Sequence, residues 1–337
     1  MANNHPGDTQ TQSENPKVSV LLCVYNGGEY LGESVSSILG QSFQDFELVL
    51  VDDGSTDNAV AGIEALNDPR IRIIRKKNSG LTPSLNFGIS HCRGEYIARQ
   101  DADDLSHSER LKTQVAFMEA NPETGVVGSS VELIDDDGDV IGELSFDSSH
   151  EALLTSLMKK NQFVHGALMF RAGILDVIKG YREAFVYAQD YDFTLRCQET
   201  TRLANLSGKY YSLRFGSQRI SIAHAGDQRA FANMARAFAR QRREVGMDDL
   251  DTGSYAGHFS VFSDKNSEPA DQTRIMLYLY LRSGLKNKIR RCLSQLLTKP
   301  QPLKTRLKYQ LSYLISYLPS GVIRQVYARM DQLRELN

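Results

Sequence analysis

Two segments near the start of the chain repeat one pattern, in which a continuous apolar run passes into helical spacing. The first run, VSVLLCVY at 18–25, is rich in β-branched residues, as is typical of a strand buried on both faces. The apolar positions of residues 26–41 then follow helical spacing. A second buried run, at 46–57, ends in acidic and turn residues, and a new helix begins after Ser55 or Thr56. This strand-helix-strand order predicts a parallel sheet in an α/β fold.

Later segments extend the sheet and add helices to it. We expect strands at 71–76 and 95–100, helices at 81–92 and 107–121, and a hairpin at 131–144 that turns at an Asp/Gly run. These elements complete an α/β domain at 17–225.

The flanking regions differ from this domain in composition. Residues 1–16 are polar, so we expect a disordered arm there. Residues 226–337 are predicted to be mainly helical, with a loop near 245–270 that is rich in Gly, Ser and Asp.

The composition is that of a soluble globular chain, with 337 residues of which 41% are hydrophobic and 24% charged. Its four cysteines are scattered without a CxxC pair, which favours neither a zinc site nor a disulfide framework. No basic start followed by an apolar run is seen, and no apolar stretch approaches about 18 residues. We therefore expect a cytoplasmic protein without a signal peptide or membrane span.

Charge is unevenly distributed along the chain. The overall net charge of −2 does not indicate a nucleic-acid partner. Residues 271–337, however, hold thirteen Lys/Arg and three Asp/Glu, whereas residues 1–270 hold 26 basic and 38 acidic residues. The basic tail is consistent either with an interaction surface or with a solvated helical face whose counter-charges lie on the body.

Acidic residues follow two of the predicted strands, Asp52 and Asp53 after one and Asp101 and Asp103 after the other. The carboxyl ends of strands in open α/β sheets are where ligands bind. Neither GxGxxG nor GxxxxGK[ST] is present, so a glycine-rich loop is not the phosphate site. Aspartates at i and i+2 of an extended segment project to one side, where they can hold a divalent cation that bridges a diphosphate. The alternative is a solvated acidic turn.

The chain resembles the inverting family 2 glycosyltransferases of the GT-A fold, of the type that builds bacterial cell-surface polysaccharides. Four ordered segments within about 17–222 carry the resemblance: VSVLLCVYNGGEYLGESVSSILGQSFQDFELVLVDDGSTD, NSGLTPSLNFGIS, RGEYIARQDADDLSHSERLKTQ and YAQDYDFTLR. The resemblance implies a Rossmann-like, mostly parallel sheet flanked by helices, to which this chain adds a C-terminal helical extension.

The resemblance also implies an activity, the transfer of a sugar from a nucleotide-sugar, in the first place a UDP-sugar, to a hydroxyl of a saccharide or lipid-linked saccharide. The implied nucleotide-sugar-binding residues are Val24, Tyr25, Asn26, Asp52, Asp53, Asp101, Ala102 and Asp103. Asp101 and Asp103 correspond to the DxD motif of the family, which binds the ribose and the Mg²⁺ or Mn²⁺ of the diphosphate. His224 is a further candidate metal ligand, although it lies out of register with the family's histidine and a structural role is the alternative.

The segment Gln189-Asp190-Tyr191-Asp192 matches the family's Glu-Asp-Tyr-Asp motif, which implies that Asp190 is the catalytic base. Inversion by direct displacement needs one base to take the proton of the acceptor hydroxyl. Gln189 replaces the usual Glu and so removes one like charge beside Asp190. Gln189 and His165 are placed on the acceptor side by the resemblance, and Asp192 is expected to support the following helix.

Two other functions are compatible with an α/β sheet that carries these acids. A sugar nucleotidyltransferase would need basic residues in the loop after the first strand, and NGGEYLGES has none. A non-catalytic nucleotide-sugar-binding module would not need Asp101, Asp103 and Asp190 all in place.

The segment PLKTRLKYQLSYLISYL at 302–318 predicts an amphipathic helix. Six apolar residues share one face: Leu303, Leu307, Leu311, Leu314, Ile315 and Leu318. Tyrosines form an adjoining stripe, and basic residues crowd one end. Such a helix is suited to an anionic membrane surface on the cytoplasmic side. The alternative is that the leucine face packs on the α/β domain or on a second copy of the chain in a homo-oligomer.

Overall fold

The computed structural model describes residues 15–215, 225–255, 272–298 and 303–335. The predicted N-terminal arm at 1–16 therefore lies almost wholly outside the described residues, as does most of the predicted loop near 245–270.

A single mixed sheet lies at the centre of the described residues. Its strands are β1 (Val18–Val24), β2 (Phe46–Asp52), β3 (Ile71–Arg75), β4 (Tyr96–Gln100), β5 (Leu105–Ser106), β6 (Thr124–Ile134), β7 (Val140–Leu144), β8 (Met169–Arg171) and β9 (Arg202–Arg214). The spatial order is β3-β2-β1-β4-β8-β6-β9-β5, and β7 pairs with β6.

Helices cover both faces of the sheet and continue to the end of the described chain. They are α1 (Tyr30–Leu39), α2 (Ala59–Glu64), α3 (Leu81–Ile89), α4 (Arg110–Ala120), α5 (His150–Ser156), α6 (Leu175–Ile178), α7 (Gln189–Gln198), α8 (Ala225–Val245), α9 (Gln272–Ser283), α10 (Lys286–Thr298), α11 (Leu303–Ile315) and α12 (Ser320–Glu335). Short 3₁₀ turns lie at His165–Ala167 and Ala172–Ile174.

The strand order confirms the predicted fold class. Strands β3, β2, β1 and β4 are parallel neighbours, and β6 is parallel to β9. Strand β8 joins the two parallel parts by pairing antiparallel with β4 and with β6. The chain moves outward from β1 to β2 and β3, then returns to place β4 on the other side of β1. This reversal creates a crevice at the carboxyl ends of β1 and β4.

Burial of both faces explains why β1 and β2 are continuous apolar runs. Successive residues of β1 alternate between two cores, with Leu21 and Cys23 on one face of the sheet and Leu22 and Val24 on the other. Helices α1, α2 and α4 cover the second face. The first face packs against α3, α7 and α8.

The C-terminal helices form a third core with the β6-β7 hairpin, which has the position and pairing predicted from the sequence. The acidic turn of this hairpin holds Lys288 of α10, whose ammonium group pairs with Asp135, Asp137 and Asp139. At least part of the basic tail thus meets counter-charges on the body. Among the described residues, none of the helices combines the length and the apolar character needed to cross a membrane.

Candidate active site

Several of the predicted site residues lie at the carboxyl ends of β1, β2 and β4. Val24, the last residue of β1, is in register with Asp52, the last residue of β2. On the other side of β1, Leu22 pairs with Gln100, so that Asp101 directly follows β4 at the same edge. The parallel pairing therefore places the two acidic strand ends at one edge of the sheet, on either side of β1.

The end of β1 offers one exposed aromatic ring. Val24 is buried in the core, whereas the side chain of Tyr25 is 54% exposed. Asn26 has a positive φ of 54°, and its Oδ1 accepts a hydrogen bond of 2.7 Å from the backbone N–H of Thr56. This bond ties the β1 loop to the loop after β2 and fixes the crevice wall from which Tyr25 projects.

The two aspartates after β2 have different surroundings. Asp52 accepts from the backbone N–H of Ser55 at 2.8 Å, which shapes the turn. Asp53 accepts from Lys76 Nζ at 2.6 Å and from the backbone N–H groups of Ser79 and Gly80 at 3.0 and 2.9 Å. Burial alone would raise the pKa of Asp53, but these partners outweigh it and lower that pKa. Asp53 therefore stays charged and anchors the loop before α3.

The segment Asp101-Ala102-Asp103 is held mainly through its backbone. The N–H of Asp101 donates to the Tyr211 hydroxyl at 3.1 Å, and its carbonyl accepts from Ser34 Oγ at 2.8 Å. The carbonyl of Asp103 accepts from Arg214 Nε at 2.8 Å. These contacts fix the loop, and the side chains of Asp101 and Asp103 remain partly exposed toward the crevice.

A fully buried arginine lies beneath this segment. Arg99 Nη2 donates to Asp101 Oδ1 at 2.6 Å, and its Nε donates to His165 Nε2 at 3.2 Å. His165 Nε2 also lies 2.9 Å from the hydroxyl of Tyr181. Desolvation and the charge of Arg99 lower the pKa of His165 to about 3, so the imidazole is neutral. His165 thus contacts Arg99, the residue that orients the Asp101 carboxylate.

A glycine follows His165 for a steric reason. A Cβ on Gly166 would lie 2.6 Å from Tyr211 Cζ and 3.0 Å from Asp101 Oδ2. The first distance is shorter than real contacts of a Cβ atom. Glycine therefore allows the 3₁₀ turn to approach the aspartate while leaving space beside its second carboxylate oxygen.

Asp190 is a half-buried carboxylate in the first turn of α7. Desolvation raises its pKa to about 6, and the negative charge of Asp101 adds to the rise. Hydrogen bonds from the backbone N–H of Tyr191 and from Asn161 oppose it. The Asn161 amide donates to Asp190 Oδ2 at 2.8 Å. A carboxylate with such a pKa can accept a proton near neutral pH.

The residues on either side of Asp190 differ in backbone conformation, burial and ion pairing. Ala188 precedes the helix with φ 53° and ψ 26°, a left-handed conformation that costs an alanine about 1 kcal/mol. Gln189, the residue before Asp190, is buried. Asp192 is fully buried and pairs with Arg182 and Arg196, which agrees with its expected role in supporting the helix.

The carboxylates of Asp101 and Asp103 fit the donor set expected for Mg²⁺ or Mn²⁺. Such ions are commonly bound by one or two carboxylates together with substrate phosphates. In the part of the chain that the structure describes, no group of three or more His, Cys, Asp or Glu side chains could hold a metal ion. Substrate phosphates and water commonly complete the coordination of such ions. His224, the further candidate ligand, lies outside the described residues.

The roles of four residues at the site were not predicted from the sequence. These residues are Arg99, Asn161, Tyr211 and Arg214, which holds the carbonyl of Asp103. Only Arg99 carried a usable signal, because a charged residue within a buried strand needs a specific partner. The other three come from distant segments that the fold brings together.

Comparison with known proteins gives a consistent result. The family model described as glycosyl transferase family 2 matches residues 19–177. The EpsE protein of Bacillus subtilis is 40% identical over 206 residues, which are 59% of this chain and 73% of that protein. The O-antigen biosynthesis glycosyltransferase WbnJ of Escherichia coli is 33% identical over 184 residues, 53% of this chain and 70% of that protein.

Similar solved structures extend over nearly the whole chain. S. aureus TarS 1-349 in complex with UDP-GlcNAc has a TM-score of 0.57 at 20% identity, covering 93% of this chain and 92% of that one. The mannosyltransferase PcManGT from Pyrobaculum calidifontis, in complex with GDP-Man and Mn²⁺, has a TM-score of 0.52 at 17% identity, covering 94% and 85%. At these identities the likeness establishes the fold, which is the predicted GT-A fold.

Proposed function

The chain belongs to glycosyltransferase family 2, and from this membership we propose that it transfers a sugar, with inversion, from a nucleotide-sugar to a hydroxyl of a saccharide or lipid-linked saccharide. The donor is in the first place a UDP-sugar, which the complex of TarS 1-349 with UDP-GlcNAc supports. The process is surface polysaccharide synthesis, which the likeness to the O-antigen biosynthesis glycosyltransferase WbnJ supports. We place the reaction in the cytoplasm.

The observation that carries this proposal is the state of Asp190. Desolvation keeps its pKa at about 6, so the carboxylate is mostly ionised at neutral pH yet basic enough to accept a proton. Its position at the start of α7 and the hydrogen bond from Asn161 fix its orientation. In the proposed reaction Asp190 takes the proton of the acceptor hydroxyl as the oxygen attacks the anomeric carbon and the bond to the nucleoside diphosphate breaks.

The donor is proposed to bind across the ends of β1, β2 and β4. Tyr25 provides an exposed ring to the nucleotide beside Val24 and Asn26, and Asp52 and Asp53 border the base and ribose. Asp101 and Asp103, with Ala102 between them, are proposed to bind the ribose and to hold Mg²⁺ or Mn²⁺. The ion, when bound, stabilises negative charge on the diphosphate leaving group. Arg99 keeps the Asp101 carboxylate in place through its 2.6 Å contact.

The acceptor is proposed to enter on the α7 side of the crevice. Gln189 is adjacent to the base and neutral, so it adds no like charge that would raise the pKa of Asp190 further. His165 is proposed to border the acceptor as a neutral ring. Its Nε2 lies within hydrogen-bonding distance of Arg99 and Tyr181, which supports a positioning role.

The proposal is tested with Asp190→Asn, measuring donor turnover by release of nucleoside diphosphate and donor binding by calorimetry. The amide preserves shape but accepts no proton, so we expect turnover to fall by about 10²-fold or more while donor affinity stays within about twofold. Asp176→Asn is the matched control, because Asp176 is an exposed aspartate in the first turn of α6. If donor affinity and turnover fell together in Asp190→Asn, Asp190 would be a donor ligand or a structural residue.

A further inference from the structure

Helix α11 and the turn after it expose a row of leucines. The exposed fractions are 55% for Leu307, 60% for Leu311, 67% for Leu314 and 41% for Leu318. The spacing of four and three residues places Leu307, Leu311 and Leu314 on one side of the helix, since each residue advances about 100°. Leu318 follows in the turn after the helix. We call these four exposed side chains the leucine ridge.

The helix is docked on the protein by its other side. Tyr309 and Tyr313 are partly buried against the third core, and Ser316 is fully buried. Ser312 Oγ lies 2.8 Å from the hydroxyl of Tyr327 in α12. The four leucines of the ridge therefore lie on an outward face of a packed helix, whereas Ile315 of the predicted leucine face packs on the third core.

The surroundings of the ridge are basic. Residues 272–330 contain twelve Lys/Arg and no Asp/Glu. Arg306 and Lys308 are both exposed and lie about 100° to either side of Leu307 around the helix. Among the described residues, neither forms an ion pair with an acidic side chain. Both cations are thus available to an anionic partner that covers the ridge.

An aromatic ring lies at the far end of the ridge. Tyr317 is 57% exposed, and the guanidinium of Arg290 lies 4.1 Å from its ring centroid. Tyrosine is enriched at the boundary between headgroups and acyl chains, where an amphipathic ring has both an apolar and a wet side.

We propose that the leucine ridge, with Arg306, Lys308 and Tyr317, is the surface by which this protein binds an anionic phospholipid membrane. An interfacial helix buries an apolar face about 5–10 Å deep while basic residues beside it meet the lipid phosphates. A symmetric contact through the ridge would instead bring Arg306 and Lys308 of both chains together, and the segment 272–330 holds no acidic residue to compensate them. This inference goes beyond sugar transfer and would bring the crevice to a surface where lipid-linked acceptors are found.

The test is sedimentation of the full-length protein with vesicles of phosphatidylcholine, alone or mixed with phosphatidylglycerol, at low salt. Leu311→Gln/Leu314→Gln and, separately, Arg306→Gln/Lys308→Gln should each lower the partition coefficient on mixed vesicles by roughly tenfold. The matched controls are Leu66→Gln/Leu154→Gln, whose leucines are 50% and 41% exposed on the α/β domain, and Lys159→Gln/Lys160→Gln. Both controls should bind vesicles like the wild type.

Each variant is also compared with the wild type in unfolding midpoint, donor binding and oligomeric state. We expect unchanged midpoints and unchanged nucleotide-sugar binding, because the ridge lies outside the crevice. Three results would overturn the proposal. They are a full-length protein that binds no vesicles, equal binding to neutral and anionic vesicles, and ridge variants that bind as well as the wild type. Self-association of the wild type that the ridge variants abolish would also overturn it, since the ridge would then be a dimer contact. A failure of sugar transfer with vesicle binding intact would count against the proposed enzyme activity alone.

Discussion

The hydrogen bond between Asn161 and Asp190 is expected to set the pH at which the enzyme begins to work. Asn161 Nδ2 donates to Asp190 Oδ2 at 2.8 Å and stabilises the charged form of a carboxyl whose pKa desolvation has raised to about 6. A hydrogen bond to a charged group is worth about 1.5–3 kcal/mol, and a shift of one pKa unit corresponds to about 1.36 kcal/mol. Because Asp190 is partly exposed, we take the lower end and expect Asn161→Ala to raise the pKa by about one unit.

The assay is the pH dependence of kcat/KM, whose acid limb reports the base of the free enzyme. Asp190 acts only when deprotonated, so activity is lost as the pH falls through its pKa. Raising that pKa by about one unit moves the loss to higher pH. At pH about 6, Asn161→Ala should therefore show about one fifth of the wild-type activity, while at pH about 8 the two should nearly agree.

Two further variants separate electrostatics from loop structure. Asn161 Oδ1 also accepts from the N–H of Phe163 at 3.1 Å, and Asn161→Asp keeps that acceptor while adding a like charge, so its acid limb should move further than that of Asn161→Ala. Asn121→Ala is the control, because the Asn121 amide donates at the same 2.8 Å to a carbonyl of α4. An acid limb that stays near pH 6 in both Asn161 variants would refute Asp190 as the titrating base.

Two other predictions concern the donor edge. Excess chelator should abolish turnover and Mn²⁺ or Mg²⁺ should restore it, and Asp103→Ala should weaken donor binding measured by calorimetry; full turnover in chelator would refute the metal requirement. Gly166→Ala should lower the free energy of unfolding in urea by about 1–3 kcal/mol and weaken donor binding, because its Cβ would press on Tyr211 and approach Asp101 Oδ2. An unchanged unfolding midpoint together with unchanged donor affinity would contradict this packing argument.

The parts of the fold that the sequence predicted are those whose signal is local. β1 and β2 are buried on both faces, so every position in them is apolar or packed. Such a strand can be recognised in the sequence without knowing which strands pair with it. The acidic residues at the ends of these strands and of β4 could be assigned to one edge because parallel strands end together.

Elements fixed by distant pairing were missed. Strand β9 (Arg202–Arg214) mixes buried and exposed residues without regular alternation, and its pairing with β6 is interrupted by irregularities in register. Its main contribution to the site, the hydroxyl of Tyr211 on the N–H of Asp101, joins residues 110 positions apart. Nothing in the local sequence of either partner signals such a contact.

The amphipathic helix shows a different limit of sequence reasoning. The pattern of 302–318 contains two apolar stripes, one of leucines and one of tyrosines, and periodicity alone does not say which is buried. In the structure Tyr309 and Tyr313 pack on the third core, together with Ile315 of the leucine face. Tyr317 and the four leucines of the ridge are exposed.

A series of contacts joins Asp101, a proposed donor ligand, to the helix that carries Asp190, the proposed base. Arg99 holds Asp101 and contacts His165, whose Nε2 also lies beside the Tyr181 hydroxyl. The Tyr181 ring stacks on Phe193 of α7 with centroids 4.5 Å apart and planes 21° from parallel, and α7 carries Asp190 in its first turn. Because this series of contacts is buried, the positions of Asp101 and Asp190 depend on each other. In the proposed reaction, the distance between the donor and the proposed base is therefore set by packed side chains rather than by either surface loop.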